Sequence, residues 1–417
     1  MRASFALALV FGLAFIALDP PLQVPDEPEH FERAYVISQG VLWTDPRGPA
    51  VAADIAALSR GPFLNVISGR DQHTSWSEVR TTLQAPQNER RVAVDMMPYA
   101  SPVPYVLSAS TVGLTRALGA TAGVSFYCAR LVHLLAYLWL CWMAAQLMPY
   151  SRAMLVLVML APAPLYLAGG ISPDPLLCGT TFLFAACVLA GRRSAVATIA
   201  SLVFSLTKPP YFLISFLALP TKRKWILILP TVAALAFNIA MLAVVSKNMQ
   251  EMRPGTDISL GRQLGFMLHH PFSAAWTLLL SLRPVWLHHA IGAFGWMDSA
   301  VPPVLTASFA VAGLFFGLRA PSPVPSRALV VTAAVLLVTM ALSISALLYM
   351  SFTAVGAPRV EGLQGRYFVP LAPLVAVLLA AVPVRRLSDE RLLLRALPFV
   401  LIVMWVAAVL TLRARYW

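Results

Sequence analysis

The chain of 417 residues is 59% hydrophobic and 12% charged, against roughly 25% charged in soluble domains, which argues against a soluble globular fold. Its net charge of +13 does not point to nucleic acid, because the bases sit in short loops between apolar runs (Arg192-Arg193, Lys222-Arg223-Lys224, Arg319, Arg327, Arg385-Arg386), as positive-inside sorting of membrane helices requires. Four cysteines, Cys128, Cys141, Cys178 and Cys187, lie in or beside those runs with no C-x-x-C pair, so neither a zinc site nor a disulfide framework is implied.

In chain order, residues 3–18 form the first apolar run. Asp19-Pro20-Pro21 follows it in place of a small-residue cleavage site, which predicts an uncleaved signal anchor with an outward loop after it. Residues 19–103 make up that loop, polar and rich in turn formers, with helix-like periodicity at 29–40 and 50–59 that suits helices on the membrane surface. Further apolar runs cover 104–118, 124–148, 154–170, 176–190, 195–219 and 225–245. A second outward, membrane-hugging segment is expected at 247–301, and runs at 302–318, 329–350, 367–382 and 397–412 complete the chain. The fold expected is an all-α integral membrane bundle of roughly ten to eleven crossings in one domain, residues 1–417. Charge sorting conflicts in two places: 104–118 is either re-entrant or a surface helix, and 195–219 resolves into two half-helices with a break at Lys208-Pro209-Pro210.

Five segments carry candidate chemistry. Val24-Pro25-Asp26-Glu27-Pro28-Glu29-His30-Phe31 packs three carboxylates and an imidazole at the membrane boundary. Asp26 and Glu27 are read either as a helix cap with favourable dipole charges, or as a general base and hard ligands for a divalent cation. Ser172-Pro173-Asp174-Pro175 places a lone acid between apolar runs, as a turn former or a site residue. Lys208 stands deep in an apolar stretch, where an ammonium needs a partner, water or an anionic lipid head group. Gln364-Gly365-Arg366-Tyr367-Phe368-Val369-Pro370 sets a guanidinium at the mouth of a span beside a glycine that allows close backbone approach. Phosphate binding by Arg366 is favoured there over an interfacial anchor. His269-His270 and His288-His289 read as interfacial histidines in preference to metal ligands.

Taken in order, P-P-L-Q-V-P-D-E-P-E-H-F-E-R-A from Pro20, S-P-D at Ser172, F-G-W-M-D at Phe294 and Q-G-R-Y-F-V-P at Gln364 resemble a bacterial family of polytopic membrane proteins of unknown function grouped with the GT-C glycosyltransferases. The resemblance runs over nearly the whole chain. It implies a GT-C-like fold in the bacterial cytoplasmic membrane with an outward-facing site. The implied reaction is transfer of a sugar from a polyprenyl-phosphate-linked donor to a glycan or lipid acceptor of the cell envelope, in some relatives with a divalent metal such as magnesium or manganese. By position, Asp26 and Glu27 are the implied catalytic acids and the possible metal ligands, while His30, Asp174, Lys208, Arg366 and Tyr367 are the implied substrate-binding residues. No soluble domain is expected after the last span, which favours a small, lipid or glycan acceptor over a folded protein. The rival readings are a transporter or flippase of lipid-linked saccharides and a non-catalytic scaffold; charge at span ends, not at mid-span, favours surface chemistry.

Overall fold

The apolar runs become helices because only a helix satisfies its own backbone polar groups away from water. In the computed structural model, Ala122–Leu147, Arg327–Ser351 and Arg391–Tyr416 are each long and apolar enough to cross a membrane. The last of these shows the pattern plainly. Leu397, Leu401, Trp405 and Leu412 are buried on one face, while Phe399, Val403 and Leu410 are exposed on the other, so both faces are apolar, as a helix between protein and lipid requires. Shorter apolar helices include Arg2–Leu18, Asp174–Leu189, Ser194–Thr207 and Pro303–Arg319. The description covers all residues except 43–48, 70, 95–100, 193, 222–223 and 253–254, and omits the side chains of 68, 224, 226 and 241–252.

Two expected runs are not single long helices. Residues 104–118 give the helix Val106–Ala117, about 18 Å long at 1.5 Å per residue. That is too short for a crossing of about 30 Å, and this helix packs against Glu27–Ser38 and Ala122–Leu147. Residues 154–170 are split into Arg152–Met159 and Pro162–Ala168, with Pro162 at the start of the second piece. The break expected at Lys208 is present: the helix Ser194–Thr207 ends there and Tyr211–Ala218 continues as a 3-10 helix.

The helix Glu27–Ser38, expected from its amphipathic pattern as a surface helix, packs into the protein. Phe31, Glu32, Arg33, Ala34, Tyr35 and Val36 are buried, and its charges find partners inside the protein: Ser59 donates to Glu32 at 2.5 Å and Arg33 donates to the Leu42 carbonyl at 2.5 Å. Two small antiparallel ribbons, Ala50–Ala52 with Arg91–Ala93 and Ala293–Phe294 with Ser299–Ala300, are additions to the helical plan. Asp174–Leu189 packs between Ala122–Leu147 and Ser194–Thr207, and Arg2–Leu18 packs on Arg391–Tyr416. This arrangement gathers the ends of several helices under the loop that follows Leu18.

Candidate functional site

Asp26 occupies the cap position of the helix Glu27–Ser38, with Pro28 in its first turn, but its side chain caps nothing. Its backbone is left-handed, φ 62° and ψ 12°, a conformation that costs a residue with a side chain about 1–3 kcal/mol. The carboxylate is instead turned onto the guanidinium of Arg366, whose Nη2 donates to Oδ2 at 3.2 Å. With about a third of its side chain still exposed, Asp26 is open to approach. The helix-cap reading therefore fails for Asp26.

Glu27 goes the other way. It is fully buried, takes hydrogen bonds from Arg130 Nε at 2.9 Å and Nη2 at 2.6 Å, and accepts from the amide of Ile171 at 2.9 Å. The same guanidinium reaches Asp19 Oδ2 at 2.8 Å, and Tyr166 donates to the other oxygen of Asp19 at 2.8 Å. Every oxygen of Glu27 is thus committed to structure, and the side chain is absent from the cavity that Asp26 lines. A shared cation on Asp26 and Glu27 does not fit this donor set: the two carboxylates part at the left-handed turn. Among the described residues no cluster of three His, Cys, Asp or Glu side chains is placed to hold a metal.

The other expected binding residues converge. Asp174, in the first turn of Asp174–Leu189, lies with Oδ1 3.7 Å from Lys208 Nζ and Oδ2 3.4 Å from Arg366 Nε. Lys208, just past the C-terminal end of Ser194–Thr207, sits 4.4 Å above the centre of the Tyr367 ring, and the Arg366 guanidinium lies 5.4 Å from the same centre. Tyr211 fixes this strand of chain by donating to the Tyr367 carbonyl at 2.7 Å. Gly365 is required for the approach: a Cβ there would lie 2.1 Å from the Trp286 carbonyl oxygen and 2.5 Å from the Ala290 nitrogen. Asp26, His30, Asp174, Lys208, Arg366 and Tyr367 all line one cavity of about 360 Å³.

One wall of that cavity is apolar, built from Leu206, Phe237, Ile344, Leu347 and Leu348. A cationic pair and apolar side chains in one cavity suit an amphiphile with an anionic head. His30 is kept neutral: burial pushes its imidazole down to about 4, against the opposing pull of Asp26 and Asp174. At the preceding residue, burial and then the charges of Asp26 and Glu32 push the Glu29 carboxyl up to about 7, and its Oε2 is buried without a hydrogen-bond partner.

Sequence reasoning missed Arg130, Tyr105 and Tyr211. Arg130 carried a signal, a lone guanidinium inside the 124–148 run, which must find anions to be tolerated there. The F-G-W-M-D segment forms the turn between the strands at 293–294 and 299–300 and is absent from the cavity lining. Asp298 binds Arg415 at 2.6 Å, and Trp296 donates to the Leu22 carbonyl at 3.4 Å, so the turn braces the loop that carries Asp26. Of the paired histidines, His288 bonds Thr306 at 2.8 Å and His269 bonds the Gly265 carbonyl at 2.7 Å, which are structural contacts.

Compared with known proteins, residues 9–375 match the profile of a family described as predicted membrane protein (DUF2142). Neither a curated protein nor a solved structure matches the chain.

Proposed function

We propose, from the premise that the chain belongs to the DUF2142 family of predicted membrane proteins, that it is a membrane glycosyltransferase using a polyprenyl-phosphate-linked sugar. One observation carries the reading: an accessible carboxylate, Asp26, paired with Arg366, shares a single cavity with a second cation, Lys208, and with a set of apolar side chains. The prenyl chain would lie along Leu206, Phe237 and Leu347, and its phosphate would replace carboxylate oxygens around Arg366, whose Nε has no hydrogen-bond partner. The acceptor hydroxyl attacks the anomeric carbon as Asp26 takes its proton. The new bond from acceptor oxygen to carbon forms while the bond from carbon to phosphate oxygen breaks, and that electron pair leaves on polyprenyl phosphate. Lys208 and Arg366 stabilise the charge gathering there, and Asp174 holds both cations in place. Inversion at the anomeric carbon follows from the superfamily resemblance, not from spacing. No step is assigned to a metal.

The outward orientation has its own support. Met1, Arg152 and Glu390 are neighbours, Arg152 pairing with Glu390, and Arg386 donates to the Ala320 carbonyl next to Arg319. Arg152, Arg319 and Arg386 therefore lie toward the first end of Arg2–Leu18, whereas Asp26 follows its other end, and positive-inside sorting favours an outward cavity. In a bacterium this is the outer face of the cytoplasmic membrane, where glycan and lipid acceptors of the envelope are at hand.

The test is transfer of radiolabelled sugar from a panel of polyprenyl-phosphate sugars to a membrane lipid extract by the chain in nanodiscs. Wild type is expected to make a labelled product and Asp26→Asn to lose about 10²–10⁴ of the rate, the range for a general base. Equal rates in both would remove Asp26 from this role. Movement of intact donor across a vesicle without a new product would replace the transferase by a transporter.

A further inference from the structure

Besides its charged and apolar residues the cavity is lined by Tyr105 and His30. Tyr105 ends the 3-10 turn Val103–Tyr105 and is 1% exposed, and its hydroxyl oxygen lies 2.7 Å from His30 Nδ1. Neutral imidazole has one N–H and one bare nitrogen, and a phenol hydroxyl is a good donor. With Tyr105 donating to Nδ1, the ring proton is on Nε2. Nε2 makes no hydrogen bond among the described residues, yet it is not among the buried polar atoms left without a partner. The ring lines the cavity, so this N–H is open to it.

We infer that His30, oriented by Tyr105, donates a hydrogen bond to a hydroxyl of the saccharide, while Lys208 and Arg366 take the phosphate. The assignment rests on the glycosyltransferase reading and deepens it by dividing the cavity between the two parts of one donor. A neutral donor adds no charge to draw phosphate, for which Lys208 and Arg366 already supply two cations in the same cavity. A hydroxyl-bearing ring is the ligand chemistry that a single N–H can select, because an unpaired buried donor is what an analogue lacking the hydroxyl would leave behind. Tyr105 is a positioning residue in this scheme, since it sets the tautomer and ring angle.

The experiment is binding to the full chain in nanodiscs, measured by native mass spectrometry. The probes are undecaprenyl phosphate and undecaprenyl phosphate carrying glucose, mannose or arabinose. His30→Ala, His30→Gln and Tyr105→Phe are compared with wild type at matched unfolding temperature. The expected result is about tenfold weaker binding of the preferred glycosylated lipid, with binding of undecaprenyl phosphate unchanged within twofold. Tyr105→Phe keeps the ring packing and loses only the hydroxyl, so it carries the test if His30→Ala does not fold. An equal loss for bare and glycosylated lipid, or no loss for either, overturns the assignment and leaves the transferase reading standing. Failure of wild type to bind any of the four lipids removes both.

Discussion

Adjacent acids at 26 and 27 should fail in different assays. Glu27→Gln removes a carboxylate that is fully buried against Arg130, which is also fully buried. Gln retains one acceptor oxygen for the three hydrogen bonds that Glu27 now accepts from Arg130 and Ile171, and its amide hydrogens face the guanidinium. Breaking a buried pair from one side costs about 3–5 kcal/mol; because Arg130 keeps Asp19 at 2.8 Å, the lower end, about 3 kcal/mol, is expected here. Asp26→Asn changes a side chain that is about a third exposed and holds one bond of 3.2 Å to Arg366, which is worth about 1 kcal/mol or less. Thermal unfolding in detergent, followed by intrinsic fluorescence, should thus rank Glu27→Gln well below wild type with Asp26→Asn close to it. Sugar transfer per folded molecule should rank them the other way. A Glu27→Gln protein as stable as wild type, losing transfer as fully as Asp26→Asn, would refute the division of labour argued from the two side-chain directions.

Arg130→Met should be more damaging than Glu27→Gln, because it strands two buried carboxylates; the triple variant Arg130→Met, Glu27→Leu, Asp19→Asn should recover part of the lost unfolding temperature, since the uncompensated charges carry the cost. Glu29→Gln tests the carboxyl pushed up to about 7. An acid whose folded value is raised loses stability as pH climbs from its unfolded value near 4.5 to about 7, so the variant should unfold at a higher temperature than wild type at pH 8, with the gap closing at pH 4.5. Gly365→Ala should cost about 1–3 kcal/mol by overpacking against the Trp286 carbonyl, and should weaken undecaprenyl phosphate binding by moving Arg366, as read by native mass spectrometry.

What the sequence made legible follows from where charge is tolerated near a membrane. Asp174, Lys208 and Arg366 stand at breaks in apolar runs, positions where an ionised group persists only with a partner or a ligand, and the structure makes them one another's partners. Asp26 was legible as a residue of interest, but not its left-handed backbone, which is set by packing of the buried 20–25 segment around it. The pairing of Tyr105 with His30 joins positions 75 residues apart and leaves no local pattern. Amphipathic periodicity gave no sign that Glu32 and Arg33 are buried against partners, because it registers polarity and not pairing: a buried charge opposite a partner from another segment has the same sequence signature as one facing water.

The left-handed turn at Asp26 is the point where structure and site become one problem. A helical start would leave the Asp26 carboxylate to cap the helix, whereas the turn sends it to Arg366 and sends Glu27 to Arg130. That strain persists only if both flanks are held. Glu27 is held by Arg130 on one flank. On the other, Gln23 donates to the carbonyls of Pro21 and Phe63, and Trp296 donates to Leu22. Tyr166, which donates to Asp19, also accepts from the amide of Gly295 at 3.2 Å, tying the F-G-W-M-D turn into the same frame. Motif residues outside the cavity are therefore positioning residues for Asp26, and a change as distant as Asp298→Ala, which takes from Arg415 its carboxylate partner and leaves it the carbonyls of Val66 and Gln72, should lower transfer without altering a single cavity side chain.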